Sequence, residues 1–236
     1  MIENQGRLCS KGMINIFNAL NFFDLSKSMA GDFLSGYEKV WDALPDIKEF
    51  VTSLGKSLDK NIYDEIKENV WVAKSAKVAP TAFIDAPCIV GEDSEIRHSA
   101  FIRGSVLIGK SCVVGNSTEM KNSIIFDNVQ IPHYNYVGDS ILGYKSHLGA
   151  GAVTSNVKSD KTLVTVSALD KKIETGLKKF GAMVGDMTEV GCNSVLCPGT
   201  VIGKNCTIYP LSMVRGFIAE NSIFKNKDNI VEKIQK

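Results

Sequence analysis

A period of six residues constrains this chain more than any other feature of its sequence. Stepping six residues at a time from Val72 reaches an apolar side chain at every stop: Val72, Val78, Ile84, Val90, Ile96, Ile102, Ile108, Val114, Met120 and Phe126. Small hydroxyl side chains follow three residues after most stops: Ser75, Thr81, Ser99, Ser105, Ser111, Ser117 and Ser123. Only 44% of the residues are hydrophobic, so chance does not explain the run.

Neither of the common secondary structures has this period, because a helix repeats every 3.6 residues and a half-buried strand every two. A period of six is typical of short flat strands that are joined by tight corners and each point one bulky side chain inward. A second block has the same spacing, at Val184, Val190, Leu196, Ile202, Ile208 and Val214. The sequence therefore predicts a mainly β chain, a solenoid of hexapeptide repeats.

Three regions follow from this pattern: a helical N-terminal region (1–68), the solenoid (69–224) and a polar tail (225–236). Residues 1–12 are polar and patternless, and Met13 is a candidate natural start. Three apolar faces at helical spacing follow: Leu25, Met29 and Phe33 behind a possible N-cap at Asp24; Leu44, Ile47, Phe50, Val51 and Leu54 behind Pro45; and Leu58, Ile62 and Ile66. We expect two to four short helices that form a small cap over the first coil, because an uncovered β-edge invites association. Recruitment of a partner is the alternative role.

Two places interrupt the solenoid. After Phe126 the next stop is Pro132, so the phase slips there, and apolar stops return at Leu142 and Leu148. Residues 157–180 then break the repeat completely with alternating strand-like residues and a cluster of lysines. This segment is predicted to be a protruding loop or hairpin, and loops that project from regular solenoids commonly carry binding groups.

Composition excludes several classes of function. The net charge is +1, which does not favour a nucleic-acid or membrane-surface partner. No apolar run has the length of a membrane span, and the N-terminus lacks the pattern of a signal peptide. The six cysteines form no CxxC pair and lie mostly at or beside repeat positions, where a free thiol behaves as a small buried hydrophobe. We expect a cytoplasmic protein.

All three histidines, His98, His133 and His147, lie in or beside the solenoid, so a three-histidine zinc site is one hypothesis. Gamma-class carbonic anhydrases resemble this chain in their opening repeats, but their metal histidines come as one residue followed by a close pair. Here the gaps are 35 and then 14 residues. No metal is therefore expected, and a gamma-class carbonic anhydrase stays an alternative.

Three motifs around the phase slip resemble one family more closely. They are GNSTEMK (residues 115–121), HYNYVGDS (133–140) and GAGAVTSN (149–156), with the basic residue Arg103 before them. Together they are similar to the acetyltransferase domain of the bifunctional N-acetylglucosamine-1-phosphate uridyltransferase family and its archaeal sugar-phosphate nucleotidyltransferase/acetyltransferase relatives. The resemblance covers roughly residues 70–225. The family's nucleotidyltransferase half has no counterpart here, so pyrophosphorylase activity is not expected.

The resemblance implies a left-handed parallel β-helix and a homotrimer with sites between neighbouring prisms. It also implies a CoA-dependent N-acyltransferase, with acetyl-CoA as the acyl donor, for an amino-sugar phosphate or a nucleotide-linked amino sugar. In the family the histidine matching His133 is the general base that removes a proton from the sugar amine. The chemistry is reasonable, because an ammonium group cannot attack a thioester and a base with a pKa near seven suits the transfer.

The remaining site residues are also implied by the resemblance. Tyr136 and Asn156 match positions that hold the sugar, and Arg103 and Lys121 match groups that pair with its phosphate or nucleotide. Positions that contact acetyl-CoA in the family correspond to Ala150, Cys192 and Lys225.

One residue departs from the family. His147 stands where the family has an asparagine that contacts the sugar, which puts the identity of the acceptor in question more than the reaction. A non-catalytic solenoid that binds a partner through its helical region and its lysine-rich hairpin is the second alternative function.

Overall fold

The computed structural model describes residues 16–168 and 170–234, so residues 1–12 and the candidate start at Met13 lie outside the described residues. The six-residue period builds a parallel β-helix of about nine turns, as the sequence predicts, and the helix is left-handed, as the family resemblance implies. Val72 pairs with Val90, and Val90 with Ile108, on neighbouring parallel strands. A turn thus takes 18 residues here, or three hexapeptides, and each hexapeptide supplies one strand to one of three walls.

The three walls are named in the order in which the chain enters them. The first wall contains Val70–Ala73, Cys88–Val90, Val106–Ile108, the second halves of Glu119–Ile125 and Tyr136–Leu142, Ala182–Val184, Thr200–Ile202 and Phe217–Ile218. The second wall contains Lys77–Val78, Glu95–Ile96, Val113–Asn116, Gln130–His133, His147–Leu148, Glu189–Val190, Thr207–Ile208 and Ser222–Asn226. The third wall contains Phe83–Ile84, Phe101–Ile102, the first halves of Glu119–Ile125 and Tyr136–Leu142, Val153–Thr154, Val195–Leu196 and Met213–Val214.

The corners between walls explain the hydroxyl residues of the repeat. Ser99, Ser105, Ser111 and Ser117 all have φ between 52° and 59°, in the left-handed region that a tight corner requires. Asparagine and aspartate take the same role at other corners, because their short polar side chains tolerate this conformation better than most. The sequence pattern therefore alternates one inward apolar residue with one corner residue.

The phase slip occurs earlier than the sequence predicts. Met120 is followed after five residues by Ile125 as the next inward position, because Ile125 pairs with Ile108 and with Leu142. The stops then continue through Ile131 and Val137, so the segment around Pro132 is regular. Two successive third-to-first corners are each one residue shorter than the others, and strands Glu119–Ile125 and Tyr136–Leu142 run straight through them. The two corners lie side by side on successive turns, and we call them together the flattened corner.

The helical region lies along the first wall and not over the first coil, so the predicted position of the cap is wrong. Outward-facing residues of this wall are apolar and buried: Trp71, Ile89, Leu107, Ile124, Ile141, Met183 and Val201. The helical segments that cover them are α-helices Ala19–Phe22, Gly31–Ser35 and Ile47–Ser57 and 3-10 helices Leu25–Lys27 and Val40–Asp46. A side chain at Gly55 would clash with the Trp71 ring, which shows how closely the longest helix approaches.

Contacts along the whole wall hold the helical region in place. Aromatic pairs join Phe23 to Phe126 and Trp41 to Phe180, with ring centroids 4.9 and 5.7 Å apart. The buried Asp186 carboxylate accepts hydrogen bonds from the backbone N–H groups of Asp24 and Tyr144. The helices therefore share one hydrophobic core with the solenoid, which is the physical reason that they do not form a separate cap.

Other segments cover the ends and one side of the solenoid. Tyr63–Lys67, predicted as part of a third helix, is a strand that pairs antiparallel with Val70–Ala73 and covers the first coil. At the other end, Asn229–Glu232 in the polar tail pairs antiparallel with Ser222–Asn226. The excursion at 157–180 contains an antiparallel hairpin of Thr165–Ala168 and Lys171–Glu174, and both Val164, just before it, and Val166, within it, are buried.

Four of the five described cysteines are buried and all five are free: Cys88, Cys112, Cys192, Cys197 and Cys206, of which Cys192 is exposed. Burial raises the pKa of the Cys88 and Cys112 thiols to about 12. These thiols therefore act as core side chains, as the sequence predicts. None of the helices in residues 16–168 and 170–234 is long and apolar enough to cross a membrane.

Candidate active site

The flattened corner brings four polar residues together. Asn122 and Asp139 occupy it on successive turns with φ of 46° and 48°. Asp139 is 4% exposed and accepts hydrogen bonds from Asn122 Nδ2 at 2.9 Å and from Asn156 Nδ2 at 2.5 Å. Asn156 Nδ2 also donates to Tyr136 Oη at 3.2 Å. The structure thus joins Tyr136 and Asn156, two predicted sugar-binding residues, through a buried carboxylate.

Sequence reasoning missed Asp139 and Asn122 as site residues. One signal for them was present, because Asn and Asp are the residues that tolerate a left-handed corner and both stand near the break in the six-residue period. Gly138 belongs to the same group. A Cβ on Gly138 would lie 2.5 Å from Tyr136 Oη and 2.9 Å from Asn156 Nδ2, so the glycine makes room for this pair.

The electrostatic surroundings of Tyr136 favour its neutral form. Burial raises the pKa of the Tyr136 phenol, and the negative charge of Asp139 raises it further, while the hydrogen bond from Asn156 acts in the opposite direction. The phenol therefore stays a hydrogen-bond donor at neutral pH, as a sugar hydroxyl or carbonyl ligand requires.

Cationic side chains border this cluster on the same side of the prism. The Arg103 guanidinium donates to Glu119 at 2.7 Å in a partly exposed ion pair. Burial lowers the pKa of Lys121, and the adjacent Lys179 ammonium lowers it further against the opposing attraction of Asp139. The Arg103 charge also lowers the pKa of Lys121, so the two predicted phosphate-binding residues lie near each other, and Lys179 joins them. Positive groups held close together favour an anion between them.

His133 ends a strand of the second wall, at the corner before the third wall, and is exposed. Its backbone N–H donates to Asn135 Oδ1 at 3.1 Å, and its carbonyl accepts from the Gly151 N–H at 3.0 Å. The buried Asn135 amide in turn donates to the carbonyls of Gly149 and Ala152. The backbone on both sides of the imidazole is therefore fixed, while the ring faces solvent three residues from Tyr136.

The predicted CoA-contacting residues lie along one edge of the prism. Ala150 occupies the turn after His133 at the same corner, and Cys192 occupies the turn after Ala150, as the backbone hydrogen bonds Gly151 N–H to His133 O and Asn193 N–H to Ala150 O show. Lys225 lies in Ser222–Asn226, two turns beyond Cys192 and near the same corner. With about 4.8 Å between neighbouring strands, His133 and Lys225 are roughly 19 Å apart along this edge.

His147 lies apart from His133. Its strand partner on the previous turn is Gln130, so His133 lies three residues further along the wall, which is about 10 Å away. His147 Nδ1 is 2.7 Å from Glu189 Oε2, and both line a shallow cavity of about 330 Å³ with Gln130 and Lys145. The structure therefore does not place His147 with the cluster of Tyr136 and Asn156 in this chain.

His98 occupies the same corner position as His133, two turns earlier, and its Nδ1 is 3.1 Å from Thr81 Oγ1. Within the described part of the chain, no three His, Cys, Asp or Glu residues come together as a potential metal site.

The six-residue period, the three parallel walls and the histidine at a corner define a hexapeptide-repeat protein of the left-handed β-helix class. Residues 84–215 match the model of the GMPPB C-terminal domain, which is more than half of the chain. The chain therefore belongs to the GMPPB C-terminal domain family.

Curated relatives confirm the resemblance that the motifs indicate. The chain is 31% identical to the Bifunctional protein GlmU of Methanococcus vannielii over 94% of this chain and 55% of that protein. It is 35% identical to the Bifunctional sugar-1-phosphate nucleotidylyltransferase/acetyltransferase of Sulfurisphaera tokodaii over 44% of this chain and 26% of that protein. Similarity to the first relative extends beyond residues 70–225, into the helical region. The chain spans about half the length of that relative.

Among solved structures, the polySia specific acetyltransferase NeuO aligns with a TM-score of 0.43 at 12% identity, over 67% of this chain and 80% of that chain.

Proposed function

We propose that this protein is a CoA-dependent N-acyltransferase that acetylates an amino-sugar phosphate or a nucleotide-linked amino sugar, with His133 as the general base. The observation that carries the proposal is the position of His133. It is exposed at the corner between the second and third walls, on the edge that Ala150 and Cys192 continue, and the third wall separates it from the polar cluster of Tyr136 and Asn156. The named relatives, which include a bifunctional nucleotidylyltransferase/acetyltransferase, support the reaction type.

The reaction needs one proton acceptor and one activated acyl group. His133 removes a proton from the attacking amine as the amine nitrogen forms a bond to the thioester carbonyl carbon. The carbon–sulfur bond then breaks, the acetyl group remains on nitrogen as an amide, and CoA leaves as a thiolate that takes up a proton. The Gly151 N–H is bonded to the His133 carbonyl, so it holds the base in place and is not available to a developing oxyanion.

Acetyl-CoA would lie along the edge of the prism from His133 toward Lys225. The thioester end would be near Ala150, the pantetheine arm near Cys192, and the phosphates near the Lys225 ammonium, where a charge-assisted bond is favourable. His133 and Lys225 are four strand spacings apart along one corner, which is roughly 19 Å. An extended pantetheine arm would run along this distance. No metal takes part in this proposal.

The acceptor would lie over the third wall, between His133 and the flattened corner. Tyr136 and Asn156 would hold the sugar, and Arg103 and Lys121 would pair with its phosphate or nucleotide. His147 remains a proposed substrate residue only if a neighbouring protein copy brings its wall to the site, because within one chain it lies on the second wall, on the other side of His133 from Tyr136 and Asn156.

We further propose that the working form is a homotrimer. The third wall exposes large apolar side chains: Phe83, Phe101, Val195 and Met213. Contact between copies would remove this surface from water. Light scattering at micromolar concentration should return three chains, and a monomer would contradict shared sites.

Two measurements on the purified protein test the proposed activity. Acetyl-CoA should raise the melting temperature, because a ligand that binds only the folded state stabilises it. Release of the CoA thiol should then depend on an added amino-sugar phosphate, with glucosamine 1-phosphate as the first probe and its N-acetylated product as the negative control. Thiol release that is independent of every amino sugar would contradict the acceptor class. A melting temperature that acetyl-CoA does not raise would contradict the proposed function as a whole.

A further inference from the structure

A continuous series of hydrogen bonds links the helical N-terminal region to the proposed acceptor site. The Leu44 carbonyl, in the 3-10 helix Val40–Asp46, accepts from Asn122 Nδ2 at 3.2 Å. Asn122 Nδ2 also donates to Asp139, which accepts from Asn156, and Asn156 donates to Tyr136. We call these five residues the polar relay. It connects positions that are up to 112 residues apart in the sequence, Leu44 and Asn156.

We propose that Asp139 is a positioning residue for the acceptor, and that the N-terminal helical region sets the geometry of Asp139 through Asn122. The proposal rests on the proposed function where it names Tyr136 and Asn156 as acceptor ligands. The relay itself rests on the hydrogen bonds alone.

Each member of the relay has its donors and acceptors fixed by its neighbours. A carboxylate only accepts hydrogen bonds, so Asp139 forces both asparagines to present their Nδ2 groups to it. Each asparagine then uses its second N–H on another acceptor, Leu44 O for Asn122 and Tyr136 Oη for Asn156. As a result, the side-chain Oδ1 of Asn156 is left to accept a hydrogen bond from a ligand, and the Tyr136 hydroxyl, which accepts from Asn156, is left to donate to one.

Burial makes this arrangement stiff. Asp139 is 4% exposed, and hydrogen bonds to a charged group in such surroundings are stronger than neutral ones. The opposite end is equally fixed, because Leu44 is 2% exposed and its neighbours Val40, Trp41 and Ala43 are fully buried against the solenoid. A displacement of the Val40–Asp46 segment would therefore move Asn122 and be transmitted to the acceptor ligands.

The test uses glycine substitution at left-handed corners. Asn122→Gly keeps the backbone, because glycine adopts a φ of 46° without strain, and removes both hydrogen bonds of the side chain. Asn69→Gly is the matched control. Asn69 has a φ of 58° in the hairpin turn that leads into the first wall, and its backbone makes its hydrogen bonds, to Glu65 and Cys88. Asp139→Asn is the second variant, since it removes the charge and keeps the shape.

The first readout does not depend on activity. In protein labelled with ¹⁵N-asparagine, the Asn156 side-chain amide signals should exchange slowly with solvent, and Asn122→Gly and Asp139→Asn should shift them and speed their exchange. Asn69→Gly should leave them unchanged. Unchanged Asn156 signals in Asn122→Gly would overturn the relay, whatever the protein catalyses.

The second readout separates positioning from general loss of structure. Asn122→Gly and Asp139→Asn should each raise the KM for glucosamine 1-phosphate about tenfold. Both variants should leave the KM for acetyl-CoA unchanged. An equal rise in the KM for both substrates would overturn the positioning role. An unchanged acceptor KM in a variant whose amide signals do shift would overturn it as well. A wild-type protein that acetylates no amino-sugar phosphate would overturn the proposed function, and the amide signals would still decide whether the relay exists.

Discussion

Two outward-facing valines on different walls test whether the helices cover the first wall. Val201 faces outward from the first wall and is fully buried under the helical region, whereas Val113 faces outward from the second wall and is only partly buried. Val201→Ala removes two methyl groups from a buried site, which costs about 1.6 kcal/mol at about 0.8 kcal/mol per group. The cavity left behind brings the loss to about 2–3 kcal/mol. Val113→Ala should cost less than about 1 kcal/mol, because its side chain is partly solvated in the native state.

The assay is urea unfolding of both variants and the wild type at one protein concentration, followed by far-UV circular dichroism. Val201→Ala should show a clearly lower midpoint, with a slope like that of the wild type, and Val113→Ala a midpoint close to that of the wild type. Equal losses of stability in the two variants would refute the reasoning, since the outer face of the first wall would then behave like any solvated wall.

Three further predictions concern the site. Gly138→Ala should raise the KM for the acceptor by at least tenfold with little change in melting temperature, because its Cβ would displace Tyr136 and Asn156; an unchanged acceptor KM would contradict the crowding at this position. Affinity for an anionic acceptor should fall as pH rises through the lowered pKa of Lys121, because the ammonium loses its charge there. Lys121→Arg should abolish that pH dependence, since a guanidinium stays charged. Acceptor binding that is equally pH-dependent in Lys121→Arg would show that another group causes the dependence. Lys225→Glu should raise the KM for acetyl-CoA and leave the acceptor KM unchanged, as steady-state kinetics with each substrate varied would show.

The solenoid was predictable because its signal is local and repeated. Each inward residue and each corner residue is specified within a few positions, so the period appears directly in the sequence. The packing of the helices was not predicted, although the first wall contained a signal for it. Its strands read as continuous apolar triplets such as Cys88–Val90 and Val106–Ile108, which is the pattern of strands buried on both faces.

The site was predictable only in part, for a related reason. His133, Tyr136 and Asn156 stand in recognisable motifs, and the structure places them at adjoining corners. The role of Asp139 depends on hydrogen-bond partners on two other segments, each 17 residues away, so no local pattern shows that it is buried and bonded. His147 was grouped with the site by its match to a motif position, and only the strand register shows its separation from His133 within one chain.

The measurement that tests the central proposal most directly is the turnover of His133→Ala beside that of His98→Ala. The two histidines occupy the same corner position two turns apart, so both variants remove an exposed imidazole from equivalent backbone. His133→Ala should lower kcat about a hundredfold to ten-thousandfold, with the melting temperature and acetyl-CoA affinity of the wild type, whereas His98→Ala should retain wild-type kcat. A folded His133→Ala protein that binds acetyl-CoA and turns over at the wild-type rate would contradict the assignment of His133 as the base.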